Sequence, residues 1–238
     1  MEKHGSIFVI ARKRKETEDM ERNWDMAERT DGRLYTKNDM VKVGCNDCQG
    51  CSACCHGMGE SIVLDPYDIY RMSVGLQVKM EELMAQSVEL QVVDGVILPN
   101  LKMQGKEEAC AYLNEQGRCT IHAFRPGICR LFPLGRLYEE DGFRYFLQVH
   151  ECQAQHKTKV KIKQWLDTPD LSRYEAFILE WHNFLKEYQT QIKKGLLQGE
   201  ELRQQNLRIL TVFYFTPYQP DQDFYRQFEA RKAGMKLG

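Results

Sequence analysis

Five cysteines within eleven residues constrain this chain more than any other feature: Cys45, Cys48, Cys51, Cys54 and Cys55. Thiols packed this densely repel one another as thiolates unless a cation holds them. Cys110, Cys119, Cys129 and Cys152 bring the total to nine in 238 residues. In a small secreted protein such a count would announce disulfides, but this chain is long and its count is odd. The apolar stretch Ile7 to Ala11 is too short for a signal-peptide core, and the basic run Arg12 to Lys15 follows it instead of preceding it. No segment offers the ~18 consecutive apolar residues of a membrane helix. The expectation is a cytoplasmic protein whose reduced cysteines ligate metal.

Composition narrows the partners. With 42% hydrophobic and 28% charged residues the chain is ordinary for a globular protein. Its formal net charge of -1 supplies no field towards nucleic acid or an anionic membrane. An unknown protein or redox partner is expected, with no nucleic acid and no membrane.

The patterning predicts an α+β protein in three parts. Residues 1–44 are polar and weakly patterned, read as a partly disordered segment with Met20 as an alternative start. Residues 45–156 form a small cysteine-rich metal-binding domain of short hairpins and helices, and residues 157–238 form a helical C-terminal appendage. Asp65-Pro66 supplies an N-cap and a first-turn proline for a helix to about Met72, and a second helix covers Lys79 to Ala85. Two Asp-Gly turns, Asp94-Gly95 and Asp141-Gly142, join β-rich arms at 88–93 with 96–101 and at 134–140 with 143–149. Beyond Thr168-Pro169, Tyr174, Phe177, Ile178, Trp181, Phe184, Leu185 and Tyr188 recur at helical spacing, which predicts a packed aromatic stripe. Residues 200–215 read as a further helix, with a strand possible for Thr211 to Phe215, and 221–233 as the last helix.

The dense run carries the chemistry. Two-residue spacers turn Cys48, Cys51 and Cys54 inward on one centre, as in the loops by which bacterial ferredoxins hold [4Fe–4S] clusters. Adjacent Cys54 and Cys55 are expected to point their sulfurs apart, so that Cys55 serves a second centre or the far side of a larger one. With Cys110, Cys119, Cys129 and Cys152 the candidate metal ligands number eight, enough for two four-thiolate centres. Cys45 falls outside that set and reads as a free thiol nearby. His56 suits a supporting or exposed role, and His122 a packed or hydrogen-bonded one. Arg125 and Arg130 flank Cys129 and are the candidates for cofactor or anion binding, by offsetting thiolate charge. No phosphate-binding loop, dinucleotide fingerprint or nucleophile elbow is present.

Cys48-x-x-Cys51-x-x-Cys54-Cys55, Cys110-Ala-Tyr-Leu113, Gly117-Arg118-Cys119-Thr-Ile-His122, Arg125-Pro126-Gly-Ile-Cys129-Arg130-Leu-Phe-Pro133 and Cys152 stand in that order. Together they resemble the CxxCxxCC cysteine-cluster family, a zinc- or iron-chelating domain related to the flagellin lysine N-methylase. The resemblance spans roughly Cys48 to Cys152 and implies a metal site more than an activity. Three readings follow. The first is an iron–sulfur protein, with [4Fe–4S] as cofactor, in redox chemistry or electron transfer. The second is a structural zinc module that binds a partner. The third is a protein-lysine methyltransferase, against which stands the lack of a glycine-rich S-adenosylmethionine loop.

Overall fold

The computed structural model describes residues 6–8, 26–45 and 51–235, with side chains from residue 28 onward. In chain order the elements are β1 (Ser6–Phe8), α1 (Met26–Arg29), β2 (Met40–Gly44), α2 (Pro66–Leu76), α3 (Met80–Gln86), β3 (Val88–Val93), β4 (Val96–Leu101), β5 (Met103–Gln104) and β6 (Ala109–Cys110). There follow α4 (Gly127–Leu131), β7 (Leu134–Glu139), β8 (Gly142–Leu147), β9 (Thr158–Lys161), α5 (Ile162–Leu166), α6 (Leu171–Lys193), α7 (Gly199–Leu210) and α8 (Phe224–Ala233). The class is α+β: small antiparallel sheets, then a helical C-terminal region. Of the polar segment 1–44, residues 1–5 and 9–25, with Met20, lie outside the described residues, whereas β1, α1 and β2 carry structure. Among the described residues no helix is long and apolar enough to cross a membrane.

The chain divides into two compact units that interleave in sequence. The first takes residues 1–62, 102–120 and 127–169, and every described cysteine belongs to it. Its main sheet has the order β1-β7-β8, with Leu134 opposite Leu147 and Gly135 opposite Phe146. Leu134, Tyr145 and Phe146 are buried. Gly135 is required where it stands, because a Cβ there would lie 2.1 Å from the Phe146 ring. The backbone of Tyr35 exchanges two hydrogen bonds with that of Tyr145, at 2.8 and 2.9 Å. A second ribbon pairs β2 with β9 and turns Val41 and Val43 inward. Ile162 and Leu166 of α5 are buried, and Trp165 donates its indole N–H to the Phe132 carbonyl at 3.2 Å.

The second unit holds residues 63–101, 121–126 and 170–238. Asp65 and Asp68 cap α2 reciprocally, and Pro66 opens it. The helix outlasts its expected end at Met72 because it stops only at Gln77, in the left-handed conformation with φ 59°. The β3–β4 hairpin forms in the expected register, with Asp94 and Gly95 both at positive φ as its turn requires. Its tip is held by buried Asn206 of α7, whose side chain accepts from Ile97 N–H at 3.0 Å and donates to the Gly95 carbonyl at 3.1 Å. The aromatic stripe on α6 is buried as a whole; Phe177 meets Phe228 edge-on at 4.7 Å and Trp181 meets Phe213 at 5.1 Å.

Residues Thr211–Phe215 correct the option of a strand: they continue α7 as a turn of π-helix. The reason is their closing bond, Thr216 N–H to the Thr211 carbonyl at 2.8 Å, together with the burial of Phe213 and Tyr214 on one side. Arg231 then spans the end of that turn, donating to the carbonyls of Val212, Thr216 and Pro217 and lying 3.6 Å over the Tyr218 ring.

Candidate metal centre

The cysteine run is positioned from its own backbone outward. Ala53–Cys55 makes one turn of 3-10 helix, closed by Cys55 N–H to the Ser52 carbonyl at 2.8 Å. His56 leaves it extended and bridges to Ala109, and Gly57 N–H reaches the Glu108 carbonyl at 3.0 Å. This pairing ties the run to β6, which ends in Cys110. From there the chain folds back in a tight turn built on Asn114, whose side-chain oxygen accepts from the N–H groups of Gln116 and Arg118 at 3.1 and 2.8 Å. Leu113 bridges to Cys119 and Thr120 N–H bonds the Tyr112 carbonyl at 2.9 Å, so Cys110 and Cys119 sit on the two legs of one loop. Cys129 is presented by the short helix α4.

These elements link five thiols by pairwise electrostatic interactions. Cys54 and Cys55 are hydrogen-bonded through their side chains, and Cys55 feels the charges of Cys54, Cys129 and Cys110. Cys110 in turn feels Cys119 and Cys54. The Cys55 thiol is pushed far up, first by the bond to Cys54, then by burial and by those neighbours. Cys110 is raised by burial, against the opposing pull of the Tyr112 backbone, and further by Cys119 and Cys54. The physical cause is one: thiolates gathered in a partly dry site cannot all ionise without a cation.

The contact between Cys54 and Cys55 corrects the expectation that adjacent sulfurs diverge. In an extended chain they would, but the 3-10 turn brings consecutive side chains closer together. Cys48 lies outside the described residues. Cys51 and Cys152 are half-exposed. Cys45 is likewise half-buried, and none of the eight described cysteines is in a disulfide. Among the described residues no three Cys, His, Asp or Glu side chains converge as a ready-made coordination group. By donor chemistry these five thiols, all soft sulfur, fit a thiophilic metal.

Arg125 and Arg130 belong to different units. Arg130, the residue after Cys129, is 3% exposed, a cation buried within the unit that holds the cysteines. Arg125 belongs to the second unit, where its guanidinium contacts the His122 ring, so His122 is hydrogen-bonded as expected. Sequence reasoning missed Lys157, whose ammonium donates to the Cys152 carbonyl at 2.7 Å and anchors that end of the chain. It also missed Ala109, which pairs with His56 through backbone alone and leaves no side-chain signal.

A cysteine-rich α+β domain with gathered, unoxidised thiols defines a metal-binding protein. Residues 47–158 match the model of the CxxCxxCC family, described as a "Putative zinc- or iron-chelating domain". No curated protein and no solved structure matches the chain.

Proposed function

We propose that the cysteines hold an iron–sulfur centre, of [4Fe–4S] type by their spacing, and that the protein serves redox chemistry or electron transfer. The observation carrying this reading is the run of thiol–thiol interactions that links Cys55 to Cys54, Cys129 and Cys110, and Cys110 to Cys119. Five thiols exceed the four that one tetrahedral zinc ion takes. A polynuclear centre, or two adjacent ones, uses such a number, and iron–sulfur clusters are held by thiolates. When bound, the cluster supplies one-electron exchange at a potential set by its surroundings. The chain's own residues gather the sulfurs on two backbone-paired loops and keep the Arg130 cation inside the same unit.

Anaerobic purification tests this directly. The protein should be brown, with broad absorption near ~400 nm from sulfide-to-iron charge transfer, and should contain iron and acid-labile sulfide. A colourless preparation carrying zinc alone, with full occupancy and a folded near-UV spectrum, overturns it in favour of a structural zinc module.

A further inference from the structure

The β2–β9 ribbon has an outer face that nothing in the metal site uses. Its register sets Met40 opposite Lys161, Val41 opposite Val160 and Lys42 opposite Lys159. Opposed positions share a face and alternate positions return to it. Buried Val41 thus marks the inner face, and Met40, Lys42, Lys159 and Lys161 form the outer one, all exposed. Lys163 follows on α5, also exposed, its N–H bonded to the Lys37 carbonyl at 2.9 Å. Among the described residues no carboxylate forms an ion pair with Lys42, Lys159, Lys161 or Lys163. Asp39, beside Met40, spends its carboxylate on the N–H and hydroxyl of Thr36 at 2.7 and 2.8 Å.

Two like charges directly opposed on a ladder destabilise it. The backbone holds Lys42 and Lys159 in that arrangement, and an anionic partner would remove the cost. The ribbon also joins the cysteine-bearing chain at one end. There β2 runs through Gly44 into Cys45, with Gly44 packed so close to Thr158 that a Cβ would lie 2.4 Å from its hydroxyl oxygen. At the same end Lys157, just ahead of β9, is bonded to the Cys152 carbonyl.

We propose that the outer face of the β2–β9 ribbon docks the acidic face of a partner protein. A protein fits better than nucleic acid for three reasons. The cations are lysines, point charges without the planar fork that reads phosphate and bases. The face offers no aromatic ring for a base to stack on, and exposed Met40 among the lysines gives the apolar contact that protein interfaces favour. The chain's net charge of -1 supplies no general attraction to a polyanion, so the attraction is local to this face. The surface stands whichever metal the cysteines hold.

The test uses the full-length metal-loaded protein and dye-labelled poly-L-glutamate, followed by fluorescence anisotropy at low and physiological salt. Wild type should bind at low salt and weaken as salt rises. The variant Lys42→Gln/Lys159→Gln/Lys161→Gln should bind at least about tenfold more weakly, and the charge-matched control Lys106→Gln/Lys186→Gln/Lys194→Gln within about twofold of wild type. A single Lys159→Glu change should both weaken binding and raise the melting temperature, because it turns a repulsive cross-strand pair into an attractive one. Equal losses in the triple variant and its control would overturn the proposal. So would a lowered melting temperature for Lys159→Glu, or tighter binding of mixed-sequence single-stranded DNA than of polyglutamate at the same salt.

Discussion

Replacing Gly135 with alanine tests whether the β7–β8 hairpin is the frame between Cys129 and Cys152. The new Cβ would sit 2.1 Å from the Phe146 Cζ and 2.6 and 2.7 Å from its two Cε atoms. Comfortable carbon contacts are about 3.5–4.0 Å, so the ring must retreat by more than about 1 Å. Phe146 is 0% exposed, which leaves the ring no open side. Overpacking a tight core costs about 1–3 kcal/mol, and an immobile ring puts this case at the upper end, about 3 kcal/mol. For a chain of this size that lowers the melting temperature by roughly 6–12 °C. Urea denaturation followed by near-UV circular dichroism gives the stability, and metal analysis of the same preparations should show reduced content. Phe146→Leu in the same chain frees the space, so the double variant should recover at least about 1 kcal/mol relative to additivity. A Gly135→Ala protein within about 0.5 kcal/mol of wild type, or strictly additive behaviour, would refute the packing argument.

Three further outcomes are expected. Asn206→Leu strands the Ile97 N–H and the Gly95 carbonyl at the β3–β4 tip, and should cost about 2–4 kcal/mol in urea denaturation; unchanged stability would mean water takes over both groups. The Arg173 guanidinium, with help from Arg226 N–H, holds Asp223 down at about 2. Because the folded value lies below the ordinary one, its contribution is present above about pH 4 and lost as pH falls towards 2. Arg173→Gln should flatten that part of the stability–pH profile, and salt should screen the effect in this exposed pair. Chelation should abolish the near-UV signal of the cysteine-bearing unit while the far-UV helix signal of α6, α7 and α8 persists. Ser substitution at Cys55, Cys110 or Cys129 should lower bound metal and at Cys45 should not; metal loss from Cys45→Ser alone would revise the ligand set.

Much of the local structure could be read from residues in order. Asp94-Gly95 specified a hairpin because two consecutive positive φ values suit few other pairs. Asp65-Pro66 specified a helix start, since a carboxylate cap and a residue without an N–H both answer the unpaired groups there. The aromatic spacing on α6 specified a buried face. The cysteines announced metal through donor type alone, because clustered soft thiols suit a thiophilic cation.

What the order of residues could not decide was settled by long-range pairing. Cys55 and Cys110 become neighbours because His56 bridges to Ala109, and backbone hydrogen bonds carry no residue-specific signature. The contact between Cys54 and Cys55 depends on a single 3-10 turn, too short for any periodicity to register. Thr211–Phe215 has the β-branched and aromatic residues of a strand, yet packing of Phe213 and Tyr214 makes it helical. The lysines of β9 alternate along the sequence, but only the register with β2 sets Lys159 against Lys42 and turns both outward. Spacing determines what neighbouring residues can do together; which distant residues become neighbours is decided by the burial and pairing of the whole chain.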